Sequence, residues 1–432
     1  TNPVGGKSKS LFNVVATVGV VVVTLTFVEL GYIAWLTFND RNFITDPEFC
    51  TVHLLRKRKR IRKVVNKARE KFISHDQEVF QLEDDFGDTE ISRRDLEDIY
   101  VNVIIQEGRE NMNAYPDEFN RRKIYDSHLK TPNEVIKLTS TVEMFTPKKN
   151  GDPHKYPRRI LVLGRPGIGK TMLTKKLLQQ WNEKNDEFWH GKIVILVQLR
   201  TLNNKNVTLR EMLGYGEGLS RDEFESMYNW ILLNPAKTVL IFDGLDELDV
   251  ASSVLNTQIN VTQSPDEKMP AFTILRQLFR GNFLADVTVL ITSRPTAKDV
   301  LKYLKFERTV EILGFFENQI KEYVFKFCKN DNDAAELIWN HIEDSAELLS
   351  LCYVPVNSYI VCLTLKESTT NDQSSDIPKT VTELYKRAVR VLIYRHHPIY
   401  KSAPRPSDYL IISLPEELEN DFSKLKEVAK WG

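Results

Sequence analysis

The chain has 432 residues, too many for one small core, and 42% of them are apolar, enough to build two or three domains. Its 59 lysines and arginines balance 59 aspartates and glutamates, which excludes a globally basic nucleic-acid binder. The four cysteines (Cys50, Cys328, Cys352 and Cys362) show neither CxxC nor zinc spacing, so they read as free thiols of a reducing compartment rather than a disulfide framework.

The first residue is Thr1, and the chain is expected to be a fragment or a processed product. Leu11 to Val28 carry no charge. As a helix they would extend about 27 Å at ~1.5 Å per residue, close to the hydrocarbon thickness of a bilayer. Glu29 interrupts the run, which then continues to Phe38, with Tyr32 and Trp35 suited to an interfacial belt. The expectation is a transmembrane helix over 11–38. A cleaved signal peptide and a buried core helix are the alternatives. Downstream, the basic run Arg56–Lys63 outweighs Lys7 and Lys9, which orients the bulk of the chain to the cytoplasm. That run is either a solvated helix face or a contact for anionic lipid headgroups. No aromatic residues interleave with it, so no specific nucleic-acid partner is expected.

Residues 39–157 form a charged, mixed region. Ile61, Val64, Val65, Ala68 and Phe72 recur at helical spacing within a charged helix expected over 56–86. Leu96–Gln106 alternates and is β-branched, as in a strand, and Phe145–Pro157 gathers Pro, Gly and Lys, as in a loop. From Arg158 the pattern becomes strand, helix, strand. Strands are expected at Arg158–Gly164, Lys192–Arg200, Thr238–Leu248 and Asp286–Pro295, and helices at Thr171–Glu183 and Ala271–Arg280. On the first helix Met172, Leu173, Leu177, Leu178 and Trp181 share a face. Near-continuous apolar strands between helices call for an α/β fold with a doubly wound parallel sheet. After Gly314 the chain reads as helical, with a polar loop at Lys366–Asp376, a further helix at Thr380–His397 and a linker at Lys401–Asp408.

The stretch GRPGIGKT, Gly164–Thr171, fits GxxxxGKT with a strand before it and a helix after it. Gly164, Arg165, Pro166, Gly167, Ile168, Gly169, Lys170, Thr171 and Met172 are therefore the expected phosphate-binding set. Glycines let backbone N–H groups wrap oxyanions, and the helix N-terminus adds its dipole. Lys170 should reach the β- and γ-phosphates, and Thr171 should ligate Mg²⁺. Asp243 ends a hydrophobic strand, the Walker B position, as a second Mg²⁺ ligand. Asp246 or Glu247 is expected to orient or deprotonate an attacking water, or else to cap the next helix. In ITSRP, Thr292 or Ser293 can sense the γ-phosphate, and Arg294 either clamps it or pairs with the acidic cluster. No guanine-specifying NKxD follows a late strand, which points to ATP or ADP.

The order GRPGIGKT, IFDGLDEL, VLITSRP and ILGFFENQIKEYV resembles the NACHT class of STAND P-loop NTPases found in NOD-like receptors. The resemblance implies a nucleotide-binding domain over 158–313, a helical domain over 314–400 and the start of a winged helix over 401–432. It implies that Pro355 packs on adenine. It also implies an ADP-held closed state and an ATP-bound state that self-associates, with an upstream ligand and a downstream effector it does not name. The functional expectation is a membrane-tethered signalling switch of innate-immune type, with slow ATP hydrolysis. A turnover ATPase and a non-catalytic, nucleotide-stabilised adaptor are the alternatives.

Overall fold

The computed structural model describes residues 100–107, 136–147, 154–183, 186–214, 220–256, 264–329, 331–370 and 380–396, with scattered positions between and beyond these runs. All of these fall in one compact unit, 65–432. Its centre is a parallel sheet made of β3 (Arg159–Leu163), β4 (Ile193–Gln198), β6 (Thr238–Asp243), β8 (Thr288–Ser293) and β9 (Arg308–Gly314), in the order β9-β3-β8-β6-β4. Strands covered on both faces need apolar residues at successive positions, and RILVL, IVILVQ, TVLIFD and TVLITS supply them. Next to β9, β1 (Ile104–Glu107) and then β2 (Ile136–Leu138) extend the sheet antiparallel. A separate small ladder pairs β5 (Asn206–Val207) with β7 (Met269–Pro270).

Helix α1 (Lys170–Glu183) lies across β4, β6 and β8. Leu173, Leu177, Leu178 and Trp181 face the sheet, while Met172 is only half-buried. The same core takes in Phe145 and Trp189, which meet edge to face with ring centroids 5.4 Å apart. Helix α2 (Ala271–Arg280) is enclosed, with Ala271 through Leu278 all buried.

A second core belongs to the helices that follow the sheet: α3 (Glu317–Cys328), α4 (Asn332–Glu343), α5 (Ala346–Cys352), α6 (Pro355–Thr370) and α7 (Val381–His396). Ile320, Val324, Ile338, Ile342, Leu351, Val361, Leu384 and Val391 meet there at helical spacing, and Val101 joins them from the chain upstream of β1. Tyr409 and Leu410 also pack on this core, with the Tyr409 ring 5.2 Å from that of Tyr394. Cys328, Cys352 and Cys362 are free and buried, and burial pushes the Cys352 thiol up to about 12. Cys50 lies outside the described residues.

Several expectations are revised. Strand β6 stops at Asp243 instead of reaching Leu248, because Gly244 takes a left-handed φ of 80° and starts the short turn Leu245–Glu247. Strand β9 has no counterpart in the sequence reading. Its Arg308 and Glu311 are buried polar residues that interrupt the apolar signal. The polar stretch from Lys366 begins inside α6, which runs to Thr370. There the Ser368 and Thr369 hydroxyls bond the carbonyls of Thr364 and Lys366, both at 2.8 Å, so these residues satisfy themselves within the helix.

The expected single-pass membrane placement is corrected. Among the described residues no helix is long and apolar enough to cross a membrane. The segment Leu11–Phe38, on which the transmembrane helix and membrane contact rested, lies outside the described residues, as does the charged helix over 56–86. The membrane localisation and the cytoplasmic orientation drawn from it are withdrawn.

Candidate nucleotide site

In a parallel sheet the strand C-termini share one edge, and the loops leaving that edge build the site. Here the loop after β3, the turn after β6 and the segment after β8 converge on it. Residues Gly164–Gly169 form the loop between β3 and α1, and Lys170, Thr171 and Met172 make the first turn of α1. The loop is tied to β8, since the Gly164 N–H donates to the Ser293 carbonyl at 3.1 Å. Ile168 anchors it from below, being 1% exposed in the sheet core. Pro166 and Gly167 are exposed, Arg165 and Gly169 half-buried.

The Lys170 Nζ donates to the carbonyls of Gly164 at 2.8 Å and Arg165 at 3.1 Å, so its ammonium is folded over the loop. Burial holds its pKa below the ordinary lysine value; Asp246 opposes that shift and Arg294 adds to it. The Thr171 hydroxyl donates to Asp243 Oδ2 at 2.8 Å. These are hard oxygen donors side by side at the strand edge, the donor chemistry that Mg²⁺ prefers, and the pair fits that ion.

The strand order explains the rest. Strand β8 lies between β3 and β6, so a residue ending β8 stands between the phosphate loop and Asp243. Thr292, the last residue but one of β8, takes that place. Its hydroxyl donates to Asp243 Oδ1 at 2.6 Å and accepts the Gly244 N–H at 2.8 Å. Asp246 is held by Arg294 twice. Its Oδ1 accepts the Arg294 backbone N–H at 2.9 Å, and its Oδ2 lies 2.8 Å from Arg294 Nε. The neighbouring Glu247 is exposed.

The chain from 158 to 331 matches the family model described as NACHT domain. Residues 158–331 are a NACHT domain. The chain is similar over 299 residues, at 28% identity, to "NACHT, LRR and PYD domains-containing protein 1 homolog" of Danio rerio, covering 68% of this chain and 21% of that protein. It is 30% identical over 218 residues to "NACHT, LRR and PYD domains-containing protein 12" of Homo sapiens, covering 49% and 20%. "NACHT, LRR and PYD domains-containing protein 3" of Homo sapiens matches at 29% identity, covering 54% and 22%. The chain thus spans about a fifth of the length of these relatives.

The sheet meets the helices that follow it at the phosphate loop itself. Pro355 opens α6, half-buried, and the next residue, Val356, donates its N–H to the Gly167 carbonyl at 3.3 Å. The Tyr353 hydroxyl accepts from Arg165 Nη1 at 3.4 Å, and its carbonyl accepts the Phe315 N–H at 2.9 Å. Gly314 makes that approach possible: a Cβ there would sit 2.2 Å from the Tyr353 oxygen, at a φ of +99°. Upstream, the Val103 side chain would lie 3.6 Å from a Cβ on Gly169, and Lys176 Nζ stands 5.4 Å from the Tyr100 ring centroid. Sequence reasoning missed Tyr353, Val356 and the 100–103 segment. Only the tertiary fold brings them to the loop, and no local spacing signals it.

Proposed function

We propose that this chain carries the nucleotide-binding switch of a signalling protein of innate-immune type, holding ADP or ATP with Mg²⁺ and hydrolysing ATP slowly. The observation that carries the reading is the convergence of Lys170, Thr171, Asp243, Asp246 and Arg294 on one edge of the sheet, with the helical core bonded to the same loop. Backbone N–H groups of Gly167, Gly169 and Lys170 would cradle the phosphates, and the Lys170 ammonium would contact their outer oxygens. Thr171 and Asp243 would hold Mg²⁺, which when bound offsets phosphate charge.

Asp246 and Arg294 divide a task in this reading. With both oxygens engaged, Asp246 aims Arg294 at the terminal phosphate. The exposed Glu247 orients the attacking water. Pro355 contributes an apolar surface for the base. A nucleotide that alters the loop would alter the Gly167–Val356 and Arg165–Tyr353 contacts, and so bias how the helical core sits against it.

Sedimentation of the purified chain loaded with ADP and then with a slowly hydrolysed ATP analogue tests the switch. The expected result is a small species with ADP and a larger assembly with the analogue. Identical profiles, together with fast steady-state ATP turnover, would favour the working-ATPase reading.

A further inference from the structure

We infer that Thr292 is a positioning residue for the Mg²⁺ site: its hydroxyl fixes the Asp243 carboxylate so that Oδ2 is presented beside Thr171. The inference rests on the nucleotide-switch reading above and adds to it a residue that does not itself touch nucleotide. It also replaces the expectation that the polar end of β8 senses the γ-phosphate.

Hydrogen-bond stoichiometry carries the argument. A threonine hydroxyl has one proton to give. Thr292 gives it to Asp243 Oδ1 at 2.6 Å, and a lone pair accepts the Gly244 N–H at 2.8 Å. The residue is fully buried, at 0% exposure, and the proton that a phosphate oxygen would need is already committed. Asp243 is thereby held at both oxygens, Oδ1 by Thr292 and Oδ2 by Thr171 at 2.8 Å. The contact from Gly244 fixes the chain just after the carboxylate, where β6 turns away. Thr292 thus sets both the rotamer of Asp243 and the backbone that carries it.

Partners that orient a metal-binding carboxylate typically change metal affinity by about 10- to 100-fold when removed. Thr292→Val keeps the side-chain shape and deletes the hydroxyl. The test measures binding of radiolabelled ATP to the full chain by equilibrium dialysis, across a MgCl₂ titration and in EDTA. Wild type, Thr292→Val, Thr292→Ser and Asp243→Asn are compared.

The expected result is that Thr292→Val shifts the half-saturating Mg²⁺ concentration up by about tenfold or more. Binding in EDTA should stay unchanged, and Thr292→Ser should restore the wild-type midpoint. A midpoint unmoved in Thr292→Val, while Asp243→Asn shifts it, overturns the inference and leaves the site reading intact. A wild type whose ATP binding ignores Mg²⁺ overturns both. Should the valine variant not fold, Thr292→Ala, which removes the hydroxyl together with the γ-methyl, takes its place under the same criteria.

Discussion

The two acids that follow Asp243 differ in what surrounds them, and that difference assigns them different work. Asp246 has its oxygens at 2.9 and 2.8 Å from the Arg294 backbone and guanidinium nitrogens, whereas Glu247 is exposed. Glu247→Gln should therefore slow ATP turnover by about 10²-fold or more while leaving ATP affinity unchanged, as measured in single-turnover and binding assays. Lost affinity with the single-turnover rate unchanged would place Glu247 in ground-state binding instead. At this scale the sequence is informative where chemistry follows covalent spacing. Lys170 and Thr171 sit at fixed offsets from the loop glycines, and Asp243 ends an apolar strand. The partnership of Thr292 with Asp243 is not of that kind. It depends on β8 lying beside β6, and strand order is not written in local pattern.

Among the elements, β9 is the instructive one. It borders the phosphate-loop strand β3 and carries β1 on its other side. Arg308, 4% exposed, pairs with Glu107 on β1 at 3.2 Å. It also donates to the carbonyls of Glu143, Met144 and Thr146 at 2.5, 3.1 and 2.7 Å. One buried guanidinium thus ties two strands and the turn Thr141–Phe145 into the sheet. Arg308→Leu would remove the cation paired with the buried Glu107, and breaking such a pair costs about 3–5 kcal/mol. Denaturant unfolding should show a loss of that size. A loss below about 1 kcal/mol, the scale of an exposed pair, would mean the network is not holding these elements. These buried polar groups also hid β9 from periodicity arguments. The strands with three or more successive buried apolar residues, β3, β4, β6 and β8, were each legible, as was α2 at its full extent from Ala271 to Arg280.

Among the described residues, a sheet core and a helical core meet at the phosphate loop. Ile168 anchors the phosphate loop in the sheet core, where Tyr353 also packs, and Val356 of α6 bonds the loop through Gly167. It is through that arrangement that the proposed nucleotide switch would act on the helices. The resemblance drawn from four motifs agrees with the family match over 158–331, since those motifs sit at the ends of parallel strands, where local pattern is strongest. The apolar run near the start misled on localisation, since hydropathy alone reports length and greasiness and not placement.

The most direct measurement is of the nucleotide itself. The full chain and its Lys170→Ala variant would be purified side by side and denatured, and the released nucleotide identified and counted against protein. Near-stoichiometric ADP from the wild type and none from the folded variant is the predicted result. No nucleotide from the wild type, or equal amounts from both, would contradict the claim that this site stores a state.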